Sequence, residues 1–332
     1  MKAIVQERYG SPEVLSLREV PKPVPADDEV LVEVRAASVN ARDWHIMRGD
    51  PYLARLADRG TFGRRGPRFP IRGTDFAGRV AAVGPAVTDF RVGDEVYGDT
   101  VVGGAFAEYV TIPARTLAPK PAKLTFEQAA AVPLAGSTAL MGLRDAGGIR
   151  PGQRVLVNGA SGGVGTFAVQ IARTLGADVT AVCSTRNVDL VRSLGADRVV
   201  DYTRDDFARA GQQRYDVVFD LVGNRSLADL RRVLMPTGAL VLSGGGVSTG
   251  GSLVGPMGLF IRAELVGRFV GHRIVRLEVP ADAANLATLA ELADGGALTP
   301  AIDRTYPLEK TADAIRYVET EHARAKVVVT VG

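Results

Sequence analysis

The chain is predicted to be an α/β protein, a doubly wound parallel sheet joined to a β-rich N-terminal domain. Three observations lead there. Strands alternate with helices from residue 154 to residue 277, the pattern of a parallel sheet with right-handed crossovers. The stretch NGASGGVG at 158–165 falls between the first strand and first helix of that run. Residues 1–122 instead show short apolar runs separated by Pro and Gly clusters such as PKPVPADD and GRRGPRFP, with few helical periods. At 332 residues the chain is long for one domain. The expected division is 1–122 with 278–332, and 123–277.

In the first part, strands are expected at 29–36, 78–83, 95–97 and 107–112. The arginine- and glycine-rich stretch 50–72 reads as a surface excursion. From 124 to 146 the chain is expected to be helical, in two pieces broken at Pro133, with Thr125 capping the first and Glu127 and Gln128 in its first turn. A strand follows at 154–157. Val164, Phe167, Ala168, Ile171, Ala172 and Leu175 then share one helix face. Further strands are expected at 178–182, 198–200, 216–219, 239–242 and 273–277. One intervening helix ends at Gly195 and another stops at Pro236. The tail adds helices at 281–293 and 311–320 and a strand at 325–331. A six-stranded sheet has no place for these, so they are expected to fold back onto the N-terminal domain.

Composition narrows the functional classes. With 46% apolar residues and 23% charged, the chain can bury a core. A net charge of +3 with scattered arginines gives no footprint for nucleic acid. The single cysteine, Cys183, excludes a disulfide framework within the chain and fits a reducing compartment. Cys183, His45, His272 and His322 have no metal-ligand spacing, so no metal is expected. No apolar run approaches 18 residues and the start, MKAIVQERYG, carries no apolar signal segment. A soluble cytoplasmic protein is the expectation.

Gly159 to Gly163 fits G-x-S-x-G, the elbow of a serine nucleophile, while Gly159, Gly162 and Gly165 fit a dinucleotide loop. A hydrolase elbow follows several parallel strands, whereas Ser161 follows the first. Four glycines in seven residues exceed what a tight turn needs. Gly159 suits the turn, Gly162 and Gly163 let backbone N–H groups approach phosphate, and Gly165 lets the helix pack closely. The dinucleotide reading is therefore preferred.

With ASVNARDWHIMRGD (37–50), GTDFAGRVAAVG (73–84), GGAFAEY (103–109), AAAVPLAGSTAL (129–140), GASGGVG and the terminal ARAKVVVTV, the whole chain resembles the medium-chain dehydrogenase/reductase superfamily. It is most similar to the zinc-free quinone oxidoreductase-like branch. The resemblance implies a GroES-like catalytic domain, a Rossmann-type NADP-binding domain, and a cleft between them. Where zinc alcohol dehydrogenases carry a first metal ligand this chain has Ser38, Val39 and Asn40, and it has no cysteine cluster.

By family position Asn40 is the polar residue at the nicotinamide end, and Asp43, one helical turn on, orients it. The alternative is that both cap the following turn. Trp44 and His45 are candidates for the pocket wall. Ser161, Gly162, Gly163 and Val164 are expected on the cofactor phosphates, with Thr138, Ser243, Gly244 and Lys326 as further contacts. For Lys326 the alternative is a solvated lysine near a C-terminus.

The cofactor is expected to be NADPH. An NAD site places an acid at the end of the second strand, whereas DVTAVC runs into Ser184, Thr185 and Arg186. Arginine can grip a 2′-phosphate with two hydrogen bonds, and Tyr202 is the family's further contact to it. The expected reaction is zinc-free transfer of hydride from NADPH to a quinone or an α,β-unsaturated carbonyl, with a small-molecule substrate and no membrane or nucleic-acid partner. A zinc-free carbonyl or alcohol oxidoreductase and a non-catalytic NADPH-binding protein remain alternatives. The last strand of the parallel sheet should be an exposed edge, which points to a homodimer. Tyr306 and Lys310 match the Y-x-x-x-K of short-chain reductases, but Pro307 forbids the shared helix, and the match reads as chance.

Overall fold

The computed structural model describes residues 1–53, 55, 58–63, 66–209, 213–243, 257–320 and 323–332. Two compact units divide the chain, Met1–Ser137 with Pro280–Gly332, and Thr138–Val279.

The first unit holds β1 (Lys2–Gln6), β2 (Leu15–Glu19), β3 (Glu29–Val39), β4 (Asp75–Val83), β5 (Glu95–Asp99), β6 (Tyr109–Pro113) and β7 (Leu117–Pro119). The second holds β8 (Arg154–Asn158), β9 (Asp178–Cys183), β10 (Arg198–Asp201), β11 (Tyr215–Asp220), β12 (Leu234–Leu242) and β13 (Arg273–Arg276). The chain then returns to the first unit with β14 (Ile302–Pro307) and β15 (Lys326–Thr330).

A seven-stranded sheet forms the first unit in the order β14-β15-β3-β4-β5-β7, with β6 also pairing β3. The returning tail is integral to it, because β15 pairs antiparallel with β3 and aligns Val327 with Val39. Inward-facing Val30, Val32, Phe76, Val96, Ile112, Val327 and Val329 form one buried cluster, the expected product of alternation on a half-covered sheet. The helix Phe126–Ala130 packs on β3 and β4, so this helix belongs to the first unit. Its capping box is formed as expected, with Thr125 Oγ1 accepting from Gln128 N at 3.3 Å and Thr125 N donating to Gln128 Oε1 at 3.1 Å.

The second unit is a six-stranded parallel sheet in the order β10-β9-β8-β11-β12-β13. Counted from β8, that is the doubly wound order 3-2-1-4-5-6, with the reversal of strand order between β8 and β11. Leu156, Val182, Val218, Leu230 and Leu240 fill its core, and β13 closes one edge.

Several local expectations are corrected. Residues 50–72 are not wholly a surface excursion, since Asp50 and Arg72 are buried. Backbone bonds from Gln6 N to Pro70 O and from Arg72 N to Ile4 O hold the end of that stretch against β1. The helix before Pro236 ends earlier, at Arg232, and Pro236 lies inside β12. Proline is tolerated there because regular pairing of β12 to both neighbours starts only at Ala239. The helix Ala41–Arg48 and the strand β14 were not expected from the sequence. The second helical piece, Pro133–Leu140, passes into a π-helical stretch at Met141–Gly147.

Candidate functional site

In the second unit, the glycine loop follows β8 and leads into the helix Gly163–Thr174. Gly159 has φ +87°, a conformation a side chain rarely adopts. A Cβ on Gly165 would lie 2.1 Å from Gly159 O, so the helix start rests directly on the loop. Gly162 differs, since a Cβ there would meet nothing nearer than Gly159 O at 3.4 Å. It is the N-cap, with extended backbone and no side-chain cap hydrogen bond. The first-turn N–H groups of a helix lack intrahelical partners and carry partial positive charge. An open glycine at such a terminus fits the pyrophosphate of a dinucleotide.

Backbone bonds from Gly159 N and Ala160 N to Val182 O tie the loop to the end of β9. Asn187, buried, donates its amide to Ser161 Oγ at 2.9 Å and Ser184 Oγ at 3.3 Å. Ser161 is thus held by an amide that cannot act as a base. A serine nucleophile also needs a histidine base, but His272 accepts from Arg231, His45 belongs to the other unit, and His322 lies outside the described residues. These contacts argue against the nucleophile reading. Ser184 and exposed Arg186 follow β9, and Tyr202, 55% exposed, donates its backbone N–H to Cys183 O.

One expectation needs correcting at this tip. β9 itself ends without an acid, but parallel pairing sets Asp201 opposite Cys183. The Asp201 carboxylate accepts from Thr185 Oγ1 at 2.5 Å, Thr203 Oγ1 at 2.7 Å and Thr203 N at 3.0 Å, and Arg204 lies 3.6 Å away. These donors, Thr185 foremost, lower its pKa and keep it charged. The sequence reading missed both Asp201 and Asn187, because strand pairing and not chain proximity brings them to the loop. Thr138 begins the second unit, inside the helix Pro133–Leu140. Ser243 N donates to Asp220 O at 3.0 Å, while Gly244 lies outside the described residues.

In the first unit, strand register assembles a buried polar cluster. Val327 opposite Val39 brings Lys326 beside Asn40, Ser38 stands opposite Asp75, and Asp75 stands opposite Asp99. Lys326 is buried, 2% exposed, so it is not the solvated lysine of the alternative reading. Its Nζ donates to Asn40 Oδ1 at 2.6 Å and to Val39 O at 3.3 Å, and lies 3.9 Å from Asp75 Oδ2. Asn40 Nδ2 reaches Thr74 Oγ1 at 3.5 Å, and its amide also hydrogen-bonds the Asp75 carboxylate.

Asp43 caps the helix Ala41–Arg48 by accepting from Asn40 N at 2.7 Å. The contact is a cap, and it reaches Asn40 through its backbone N–H rather than its side-chain amide. Asp75 accepts from Ser38 Oγ at 3.3 Å and from Leu134 N with both oxygens at 3.2 Å. Asp99 accepts from Arg42 at 2.8 Å and Val101 N at 2.6 Å.

Burial governs the charges here. It pushes Asp43 up to about 6, against the bond from Asn40 N and the charges of Lys326, Arg42 and Arg72. Burial, reinforced by the nearby Asp99 and Asp43 carboxylates, also raises Asp75, with Lys326 and a hydrogen bond from the Asn40 side chain opposing. Lys326 is lowered by burial and supported by Asp75, Asp43 and Asp99. Nearby, Trp44 stacks on His45 with ring centroids 3.7 Å apart, and His45, largely buried, has its pKa lowered by that burial. Among the described residues no three His, Cys, Asp or Glu form a group suited to a metal ion, and no helix is long and apolar enough to cross a membrane.

A glycine loop on the first strand of a doubly wound sheet defines the second unit as a dinucleotide-binding domain of Rossmann type. The comparisons place the whole chain in a family. Residues 26–122 match the alcohol dehydrogenase GroES-like domain, and residues 194–329 match the family described as zinc-binding dehydrogenase. The chain is 32% identical to a chloroplast envelope quinone oxidoreductase homolog of Arabidopsis thaliana, over 99% of this chain and 98% of the relative. It is 34% identical to an NADPH-dependent alkenal/one oxidoreductase of the same plant, a chloroplastic protein, over 99% of this chain and 79% of the relative. The solved quinone oxidoreductase of Coxiella burnetii superposes with a TM-score of 0.84 at 31% identity, covering 100% of this chain and 99% of that one. The chain belongs to the medium-chain dehydrogenase/reductase superfamily, in its quinone oxidoreductase-like branch, and is an oxidoreductase.

Proposed function

We propose that the protein transfers hydride from NADPH to a quinone or to the β-carbon of an α,β-unsaturated carbonyl, without zinc. The observation that carries this reading is the loop at 158–165, open at Gly162 and placed on the first strand of the parallel sheet. When bound, the dinucleotide supplies the hydride. Ser161, Gly162, Gly163 and Val164 hold its phosphates through the helix terminus, with Thr138, Ser243 and Gly244 carried over as further contacts; Lys326, whose Nζ is taken by Asn40 and Val39 O, serves the site through Asn40 rather than through the cofactor. Ser184, Arg186 and Tyr202 hold the 2′-phosphate. The charge of Asp201 is taken up by Thr185, Thr203 and Arg204.

Asn40 is the group that acts on the acceptor's oxygen, and Asp43 keeps it in place. As hydride arrives at the β-carbon, the π pair moves onto the carbonyl oxygen, and a hydrogen bond from Asn40 stabilises the enolate. Water delivers the proton to the α-carbon. Where the zinc enzymes of the superfamily hold their metal, this chain has Ser38 bonded to Asp75 and Asn40 bonded to Lys326, so no Lewis acid is part of the reading. The edge strand β13 supports a homodimer, tested by light scattering, where a monomer mass at micromolar concentration counts against it. The lone cysteine supports a cytoplasmic location.

Purified protein mixed with NADPH and separate quinone, enone and saturated aldehyde acceptors tests the reaction. Turnover of quinones or enones supports it. Turnover of aldehydes alone favours a carbonyl or alcohol oxidoreductase, and NADPH binding without turnover favours a non-catalytic binder.

A further inference from the structure

Resting on that reading, we propose that Lys326 is a positioning residue, which fixes the side-chain amide of Asn40 so that it serves the acceptor only as a hydrogen-bond donor. An asparagine amide has two faces of opposite character, an accepting oxygen and a donating nitrogen, and can turn either outward. An ammonium has three donors and no acceptor. With Lys326 Nζ 2.6 Å from one end of the amide, that end is the oxygen, and a flipped amide would set N–H against N–H beside a buried charge. The nitrogen is therefore committed to the other side.

There its described partners are the Asp75 carboxylate, whose pKa the hydrogen bond from the Asn40 side chain lowers, and Thr74 Oγ1, which stands at 3.5 Å, the outer limit of a hydrogen bond. An amide nitrogen carries two N–H groups: one is given to Asp75, the other is held only weakly by Thr74 and keeps donor capacity, and the positive charge behind the oxygen polarises the amide in the sense that strengthens its N–H groups. A group of that character suits an oxygen gaining negative charge, an enolate or a quinol oxygen, and does not suit recognition of a hydroxyl through its proton.

The position of Lys326 is itself determined on several sides. Register sets its backbone, because Val327 pairs Val39. Val39 O takes a second ammonium proton at 3.3 Å and Asp75 stands 3.9 Å away. Asp43 holds Asn40 from its backbone side through the 2.7 Å bond to Asn40 N. Backbone and amide of Asn40 are thus fixed by two different elements, the helix Ala41–Arg48 and the strand β15.

Four variants test this, Asn40→Asp, Asn40→Ala, Lys326→Met and the double variant Asn40→Ala/Lys326→Met, each assayed for melting temperature, NADPH affinity and turnover of an acceptor used by the wild type. Asn40→Asp keeps an acceptor for Lys326 but has no donor. It is expected to fold and bind NADPH normally while kcat falls about 100-fold. Lys326→Met is expected to lower kcat and kcat/KM together by about 10-fold or more, as for an interaction realised in the transition state. Because Lys326 acts through Asn40, the double variant should be no slower than Asn40→Ala by more than about 2-fold.

Wild-type kcat in Asn40→Asp overturns the donor assignment. Multiplicative kcat losses in the double variant overturn the action through Asn40. Melting-temperature deficits that simply add in the double variant overturn the contact, whatever the activity. Failure of the underlying reading looks different, for then the wild type itself oxidises NADPH with no quinone or enone.

Discussion

The glycine loop allows the nucleotide reading to be separated from a merely tight turn by two substitutions of the same size. In Gly165→Ala the new Cβ falls 2.1 Å from Gly159 O and 2.6 Å from Ala160 C and Cα. All three are backbone atoms, so no side-chain rotation relieves the clash and the helix start must move. Overpacking of this kind costs about 1–3 kcal/mol. For a unit of this size that is roughly 2–4 °C of melting temperature per kcal/mol. In Gly162→Ala the nearest atom is 3.4 Å away and the backbone, at φ −83°, accepts any residue. The expected stability loss is only about 0.5–1 kcal/mol, from a poorer N-cap. The new methyl nevertheless enters the space assigned to pyrophosphate, and NADPH affinity should fall at least about 10-fold, equivalent to about 1.4 kcal/mol. Differential scanning fluorimetry and fluorescence titration with NADPH read the two quantities. Gly165→Ala should lose melting temperature, and Gly162→Ala should lose affinity while nearly keeping it. If Gly162→Ala binds NADPH as well as the wild type, the loop is a turn and the argument from its open face is wrong.

Arg186→Ala is expected to weaken NADPH binding by about 10- to 100-fold, from a charge-assisted bond of about 1.5–3 kcal/mol, and to leave NADH binding nearly unchanged. Equal loss for both cofactors removes the 2′-phosphate assignment. Asp43 should make stability pH-dependent in an unusual direction. Its carboxyl is raised from 3.8 to about 6 on folding. The contribution of its protonated form is complete below about pH 4 and is lost as pH rises through 6, about 3 kcal/mol in the limit. Asp43→Asn keeps an acceptor for Asn40 N and should flatten the melting-temperature profile over that window, so an unchanged slope counts against the burial argument. Turnover should survive a strong chelator with no stoichiometric zinc by elemental analysis, and loss of activity restored by zinc refutes the metal-free reading.

Much of the second unit was legible in the sequence because its signals are local. The helix period from Val164 to Leu175 and the four glycines of the loop lie within a few residues of what they determine. Thr125 and Gln128 likewise cap a helix from three residues apart. What was not legible depends on partners far along the chain. Lys326 reads as a surface lysine until β15 pairs with β3, and Asp201 reads as a loop acid until β10 sets it beside Cys183. β14 was missed because IDRTYP alternates weakly and buries none of its residues fully. The helix Ala41–Arg48 was missed because it is short and held by Asp43 and by packing against the helix Thr311–Thr320 rather than by a strong apolar face. Asn40 came from family resemblance, but the bond that orients its amide comes only from the folded sheet.

The most direct test of the account is the initial rate of NADPH oxidation by the purified protein against matched quinone, enone and saturated aldehyde acceptors, repeated with NADH. The account predicts oxidation of NADPH by quinones or enones, faster than with NADH and faster than with the saturated aldehyde. Binding of NADPH with no oxidation by any acceptor, or turnover confined to saturated aldehydes, would contradict it.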